Sequence, residues 1–128
     1  MQLPTGLSAR VELTVTDADT AQTLGSGDVP VLGTPRVLAL AEAATVAALA
    51  GRLDAGATTV GTHVELDHLA PTPVGRRVTV LAILAKVDGR RLHFDIVVRD
   101  GEALVAEGRV ERVVVDRRRF LATAFGES

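Results

Sequence analysis

A chain of 128 residues, 47% hydrophobic and 23% charged, has the length and composition of one domain, spanning 1–128, that buries an ordinary core; disorder is excluded. A formal charge of −2 gives no general pull toward nucleic acid or a membrane surface, and zero cysteines exclude disulfides, thiolate catalysis and Cys-ligated zinc. With three Phe and no Trp or Tyr, the core has to be built from Val, Leu, Ile and Ala.

Near the start, Val11, Leu13 and Val15 alternate with Arg10, Glu12 and Thr14, which predicts a half-buried strand. The opening MQLPTGLSARVELTV has no basic region followed by an unbroken apolar run, so it does not read as a signal peptide. TDADTAQTLGSGDVPVLG follows, rich in Gly, Asp, Thr and Pro, and reads as a loop. Its GSG at 25–27 lacks the longer glycine pattern and the Lys-Ser/Thr of a phosphate loop.

Thr34-Pro35 then predicts a helix start, Thr as N-cap and Pro at the first helical position, where its missing N–H costs nothing. Ala and Leu carry the helix over 35–50, and Gly51 stops it. The stretch is shorter than the roughly 20 apolar residues a membrane span needs, and Glu42 interrupts it, so a soluble protein is expected, and the lack of cysteine fits a reducing cytoplasm. Because this helix is apolar nearly all round, it should be wrapped by other structure.

The remaining chain supplies the wrapping. Alternation predicts strands near 58–69, 76–87, 90–99 and 102–115, with Asp88-Gly89 and Asp100-Gly101 as two-residue hairpin signals. DRRRF at 116–120 reads as a solvated basic tail, with contact to a nucleotide phosphate as its functional alternative. Strand, loop, buried helix and then four antiparallel strands in a meander is an α+β arrangement: a five-stranded sheet curled round one central helix, the hotdog fold. Open edges in such a sheet are commonly managed by pairing two copies.

Three residues stand out against this frame. Glu42 places a carboxylate in an apolar helix, which is expensive unless it is paired, hydrogen-bonded or protonated. It faces either a solvent-open stripe or dimer seam, or a pocket in which it can do base or hydrogen-bond work. His68 shares a strand face with Val64, Leu66 and Ala70; alone it would be a satisfied core histidine. Paired with a carboxylate from the helix it becomes a general base of fixed tautomer. Thr34 needs no role beyond the cap, yet a hydroxyl and free N–H groups at a helix start can also hold a carbonyl oxygen. Thr34 and Glu42 are separated by about 12 Å of helix rise, so they touch different parts of a substrate, or the helix starts later, or a partner chain completes the site. His63, Glu65 and Asp67 share the opposite strand face and read as a wet surface rather than a metal site. No G-x-S-x-G elbow is present.

GDVPVLGTPRVLALAEAATVAAL, the segment GTHVELDHLAPTPVG ending at Gly75, and the hairpin VDGRRL at 87–92 together resemble the hotdog-fold thioesterases, in the branch that contains fluoroacetyl-CoA thioesterase. The similarity runs from about residue 10 to 120. It implies a threonine at the helix start, a glutamate eight positions on and a histidine in the strand before the TP-x-G turn as the catalytic set, which match Thr34, Glu42 and His68. It further implies acyl-CoA substrates, no metal or separate cofactor, and a homodimer, extensible to a tetramer, with sites near the subunit interface. One departure stands out: VPVLGTPRV has no aromatic residue, and Arg36 sits where the fluoroacetate enzyme's pocket-closing aromatic is expected, so a different small or medium acyl group is implied. Two rivals remain on the same fold. One is a non-catalytic acyl-CoA or metabolite-binding protein. The other is an enoyl-thioester hydratase, whose Asp and His motif is not found in this chain.

Overall fold

A computed structural model describes residues 3–126. In chain order it comprises β1 (Ser8–Thr14), a 3-10 turn (Asp17–Asp19), α1 (Ala21–Leu24), α2 (Thr34–Ala48), β2 (Ala57–His68), β3 (Arg77–Asp88), β4 (Arg91–Asp100), β5 (Ala103–Asp116) and α3 (Arg117–Ala124). The five strands form one antiparallel sheet in the order β1-β3-β4-β5-β2, with α2 across its inner face.

Strand alternation decides that inner face. Val78, Val80, Ala82 and Leu84 of β3, and Leu92, Phe94, Ile96 and Val98 of β4, are buried every second residue. They meet Val37, Leu40, Ala41, Ala44 and Ala48 of α2, where the alanines let the helix axis come close to the sheet. Phe94 is the largest side chain at the centre of this core.

Three sequence expectations are corrected here. The meander holds only for β3, β4 and β5: β2 pairs with β5, Ala57 opposite Asp116 and His68 opposite Ala106, so it lies at the far edge of the sheet and not beside β3. The hairpin loops are Gly89-Arg90 and Gly101-Glu102, because Asp88 pairs with Arg91 and Asp100 with Ala103 as the last rungs. Each glycine has φ of +60° in the first loop position, as a type II′ turn demands, and among the described residues none other than glycine has positive φ. The helix is also wrapped on one side only. Five strands curl under α2 but leave Pro35, Ala39, Ala43, Val46, Ala47 and Ala50 exposed, Val46 at 52%.

The ends of α2 differ in detail from expectation. Gly33 is the N-cap, with Thr34 the first helical residue and Pro35 the second, and the helix closes at Leu49 before Gly51 takes a left-handed φ of 72°. Residues 116–120, expected as a tail, begin a helix: the Asp116 carboxylate accepts from Arg119 N–H at 2.9 Å and caps α3 against three arginines in its first turn.

Candidate active site

The first helical turn and the end of β2 meet at one point. Thr34 Oγ1 lies 2.8 Å from His68 Nδ1, joining residues that are 34 positions apart. The loop between β1 and α2 holds the helix start in place. Asp19 C=O accepts from Gly33 N–H at 2.9 Å, and Arg36 Nε donates to the Asp19 carboxylate at 2.8 Å. Burial would raise the Asp19 pKa, but hydrogen bonds from Thr16 N–H, Arg36 and the Thr16 hydroxyl outweigh it and hold the carboxyl below its ordinary value. Arg36 therefore braces the loop that leads into α2.

His68 is half-buried, and desolvation draws its pKa below the ordinary 6.5, partly offset by the nearby Ala70 backbone. A neutral ring that accepts the Thr34 proton through Nδ1 carries its own hydrogen on Nε2, an arrangement assigned from this contact. Nε2 is buried and has no hydrogen-bond partner among the described residues. Beside the pair opens a mostly apolar pocket of about 270 Å³, walled by Ala21, Val29, Val31, Leu32, Leu69 and Pro71.

The helix start is a poorer oxyanion cradle than the sequence suggested. Pro35 has no N–H, and the N–H groups of Arg36 and Val37 both turn back to Gly33 C=O at 3.0 and 3.1 Å. Thr34 N–H is the first-turn amide left without a partner among the described residues.

Glu42 is not beside His68 within the chain. Its carboxylate accepts from Arg112 Nη1 at 3.2 Å; Arg112 in turn donates from Nε to Thr59 Oγ1 at 2.9 Å and from Nη2 to Thr59 C=O at 3.1 Å. The Arg112 side chain is only 8% exposed against 36% for Glu42, so the arginine is the fixed partner and the carboxylate the presented one. Burial lowers the Arg112 pKa, and the charge and hydrogen bond of Glu42 oppose that shift. Gly61 makes room for the carboxylate: a Cβ there would run into Glu42 Oε2. The separation from Thr34 follows from the eight-residue spacing on one helix.

Arg112 and Gly61 are the residues that sequence reasoning passed over. Arg112 carried a signal, since Val110, Arg112 and Val114 share a strand phase and a guanidinium among inward valines calls for a partner. Gly61 adjoins a bulge in β2, where the register shifts between Gly61 and His63. On the outer face His63 Nε2 and Glu65 Oε1 are 3.3 Å apart and exposed, and no group of three or more metal-binding side chains forms among the described residues.

The sequence pattern of the fluoroacetyl-CoA-specific thioesterase family FlK matches residues 15–118. The chain belongs to that family. It is 38% identical over 92 residues to the fluoroacetyl-CoA thioesterase of Streptantibioticus cattleyicolor, a match covering 72% of this chain and 66% of that protein, just under two thirds of its length. The structure of fluoroacetyl-CoA thioesterase FlK superposes with a TM-score of 0.90 at 30% identity, covering 100% of this chain and 99% of that one. A threonine-to-serine variant of FlK in complex with acetyl-CoA gives 0.91 at 29% identity, covering 97% and 98%. A Thermus thermophilus thioesterase superfamily member gives 0.89 at 29%, covering 95% and 90%. The expected fold, a five-stranded sheet around a central helix, is that of the family. Among the described residues no helix is long and apolar enough to cross a membrane.

Proposed function

We propose that this chain is a cytoplasmic acyl-CoA thioesterase that works as a homodimer on a small or medium acyl group. The Thr34–His68 contact of 2.8 Å carries the reading, because a hydroxyl against an unprotonated imidazole is the geometry of an activated nucleophile. His68 takes the Thr34 proton as Oγ1 adds to the thioester carbon. The tetrahedral intermediate collapses, the C–S bond breaks, and the departing CoA thiolate recovers the proton from His68. Water then adds to the threonyl ester as a carboxylate takes its proton; the acyl C–Oγ1 bond breaks, and that proton returns to Thr34 Oγ1 as the acid leaves.

Glu42 supplies that carboxylate from the second subunit. Three observations support the assignment: Glu42 and Thr34 are too far apart along one helix, β2 is an unpaired sheet edge, and Glu42 lies in the bare apolar stripe of α2. A second copy added antiparallel at β2 covers edge and stripe together. The reaction draws on side chains and water alone. Fluoroacetyl selectivity is not carried over, since Arg36 is held by Asp19 and residues 28–36 contain no aromatic ring to close the pocket.

The test is thiol release from acetyl-, hexanoyl- and benzoyl-CoA by the purified protein, followed by mass spectrometry of the enzyme. Release with a transient acyl adduct on Thr34 is expected. Saturable binding without release would instead favour a non-catalytic acyl-CoA carrier, and loss of enoyl absorbance from crotonyl-CoA without thiol would favour a hydratase.

A further inference from the structure

A thioester placed between Thr34 of one subunit and Glu42 of the other has two ways to lie, and charge distinguishes them. One exit is the apolar pocket beside Thr34 and His68. The other is a groove of about 260 Å³ between the C-terminal half of α2 and the start of β2, lined by Val46, Ala50, Leu53, Thr58, Thr59 and Arg117. It opens one helical turn past Glu42, and Thr59, which anchors Arg112, forms part of its wall.

Coenzyme A ends in a diphosphate and a 3′-phosphomonoester, the latter carrying about −1.5 to −2 charge near neutrality. The arginine beside the apolar pocket, Arg36, is committed to Asp19; likewise Arg76 pairs with Asp100, Arg77 with Glu12, and Arg91 with Glu111. At the far end of the groove the situation reverses. Arg117 N–H donates to Gly56 C=O at 2.9 Å, which brings α3 against the Asp54–Ala57 turn; Arg52 precedes that turn by two residues, between Gly51 and Leu53 of the groove wall. Val114 N–H donates to Arg90 C=O at 2.9 Å, which brings in the β3–β4 hairpin. A depression of about 320 Å³ lined by Arg90, Gly56 and Asp116 adjoins the groove across Asp54 and Ala57. Arg52, Arg90 and Arg117 are exposed and make no ion pair among the described residues. Of the two carboxylates on these walls, Asp116 is engaged in capping α3. Arg117 follows Arg112 by five positions along extended chain, on the order of 16 Å, a distance an extended pantetheine arm can bridge.

We propose that Arg52, Arg90 and Arg117 form the site for the 3′-phosphate and diphosphate of coenzyme A, with the pantetheine arm in the α2–β2 groove and the acyl group in the apolar pocket of the partner. The proposal rests on the dimeric thioesterase reading above, and it fixes the direction in which substrate lies across the reacting atoms. It also gives the basic run at 117–119 a binding role at its first member.

The experiment compares acetyl and hexanoyl thioesters of CoA, 3′-dephospho-CoA and pantetheine on wild type, Arg90→Ala/Arg117→Ala and Arg52→Ala, with Arg10→Ala on β1 as control. Each site variant should raise KM for acyl-CoA by about tenfold or more at unchanged kcat, as loss of charge-assisted contacts to phosphate requires. Wild type should show a rise of the same kind for the dephospho substrate. KM for acyl-pantetheine should be the same in all four proteins. KM for acyl-CoA within twofold of wild type in both site variants overturns the proposal, as does an equal rise for acyl-pantetheine, which would mean a damaged groove. If wild type hydrolyses none of these thioesters, the thioesterase reading falls, and calorimetric titration with CoA decides the site separately. Binding that is lost in the site variants upholds it, and equal or absent binding in wild type and variants overturns it.

Discussion

At the residue scale the site depends on His68 being neutral. Burial draws its pKa below 6.5, so the imidazole keeps its acceptor lone pair into mildly acidic solution. The acid limb of kcat/KM should therefore fall below pH 6.5, and His68→Gln should lower kcat/KM by at least about 100-fold and abolish the limb. A limb at or above 6.5 would contradict the burial. Stability moves with the same sign. Between the folded pKa and 6.5 the unfolded chain binds more protons than the folded one, so the contribution is complete above that window and is lost as pH falls through it. Gly61 gives a second check. Its Cα faces the Glu42 carboxylate, and a methyl there would also stand 3.5 Å from Arg112 Nη1. The obstructed atom is the end of a flexible side chain, so Gly61→Ala should fold with a near-unchanged melting point. It should nonetheless lose activity to the level of Glu42→Gln, because the carboxylate is pushed off Arg112. A Gly61→Ala enzyme with wild-type kcat/KM would remove Glu42 from the mechanism.

At the scale of elements, β5 connects the two halves of the candidate site: it pairs with β2, which carries His68, and itself carries Arg112. Gly108 sits opposite Leu66, where a Cβ would strike the Glu65 carbonyl and stand 2.9 Å from Leu66 Cα. Both are backbone, so neither can swing aside. Gly108→Ala should destabilise the fold by about 1–3 kcal/mol, and the two strands should separate near His68. An unchanged thermal midpoint would show that this approach is not as close as described. Local patterns were legible in the sequence: α2 from its Ala-Leu run, both hairpins from their glycines, the inward faces of β3 and β4 from alternation. What was not legible is non-local. Nothing in residues 57–68 says that their neighbour lies at 103–116, and Glu42 finds its partner 70 positions away. The turns inside the β1–α2 loop were also hidden, because the Asp17–Asp19 turn and the four-residue α1 are too short for any periodicity to register.

For the whole molecule the question is whether one chain can hold a complete site, and the subunit-sharing proposal answers it with a measurable ratio. Thr34 and His68 lie at one end of α2, Glu42 and Arg112 two turns along it, and the stripe between them is bare. If a two-fold axis at the β2 edge sets each pair against the other subunit's, then a His68→Gln dimer and a Glu42→Gln dimer are both inactive for complementary reasons. Co-refolding them in equal amounts yields mixed dimers as half of the population. Each mixed dimer has one site with both defects and one with none, so about a quarter of wild-type activity should return. A site confined to one chain predicts no recovery at any mixing ratio. Co-refolding His68→Gln with Thr34→Ala supplies the control: those defects fall in the same half of the site, so that mixture must stay inactive. Sedimentation of each protein establishes that dimers are present when activity is read. Recovery in the first mixture and not in the second would place the carboxylate across the interface, and failure of the first would return Glu42 to its own chain and require α2 to move.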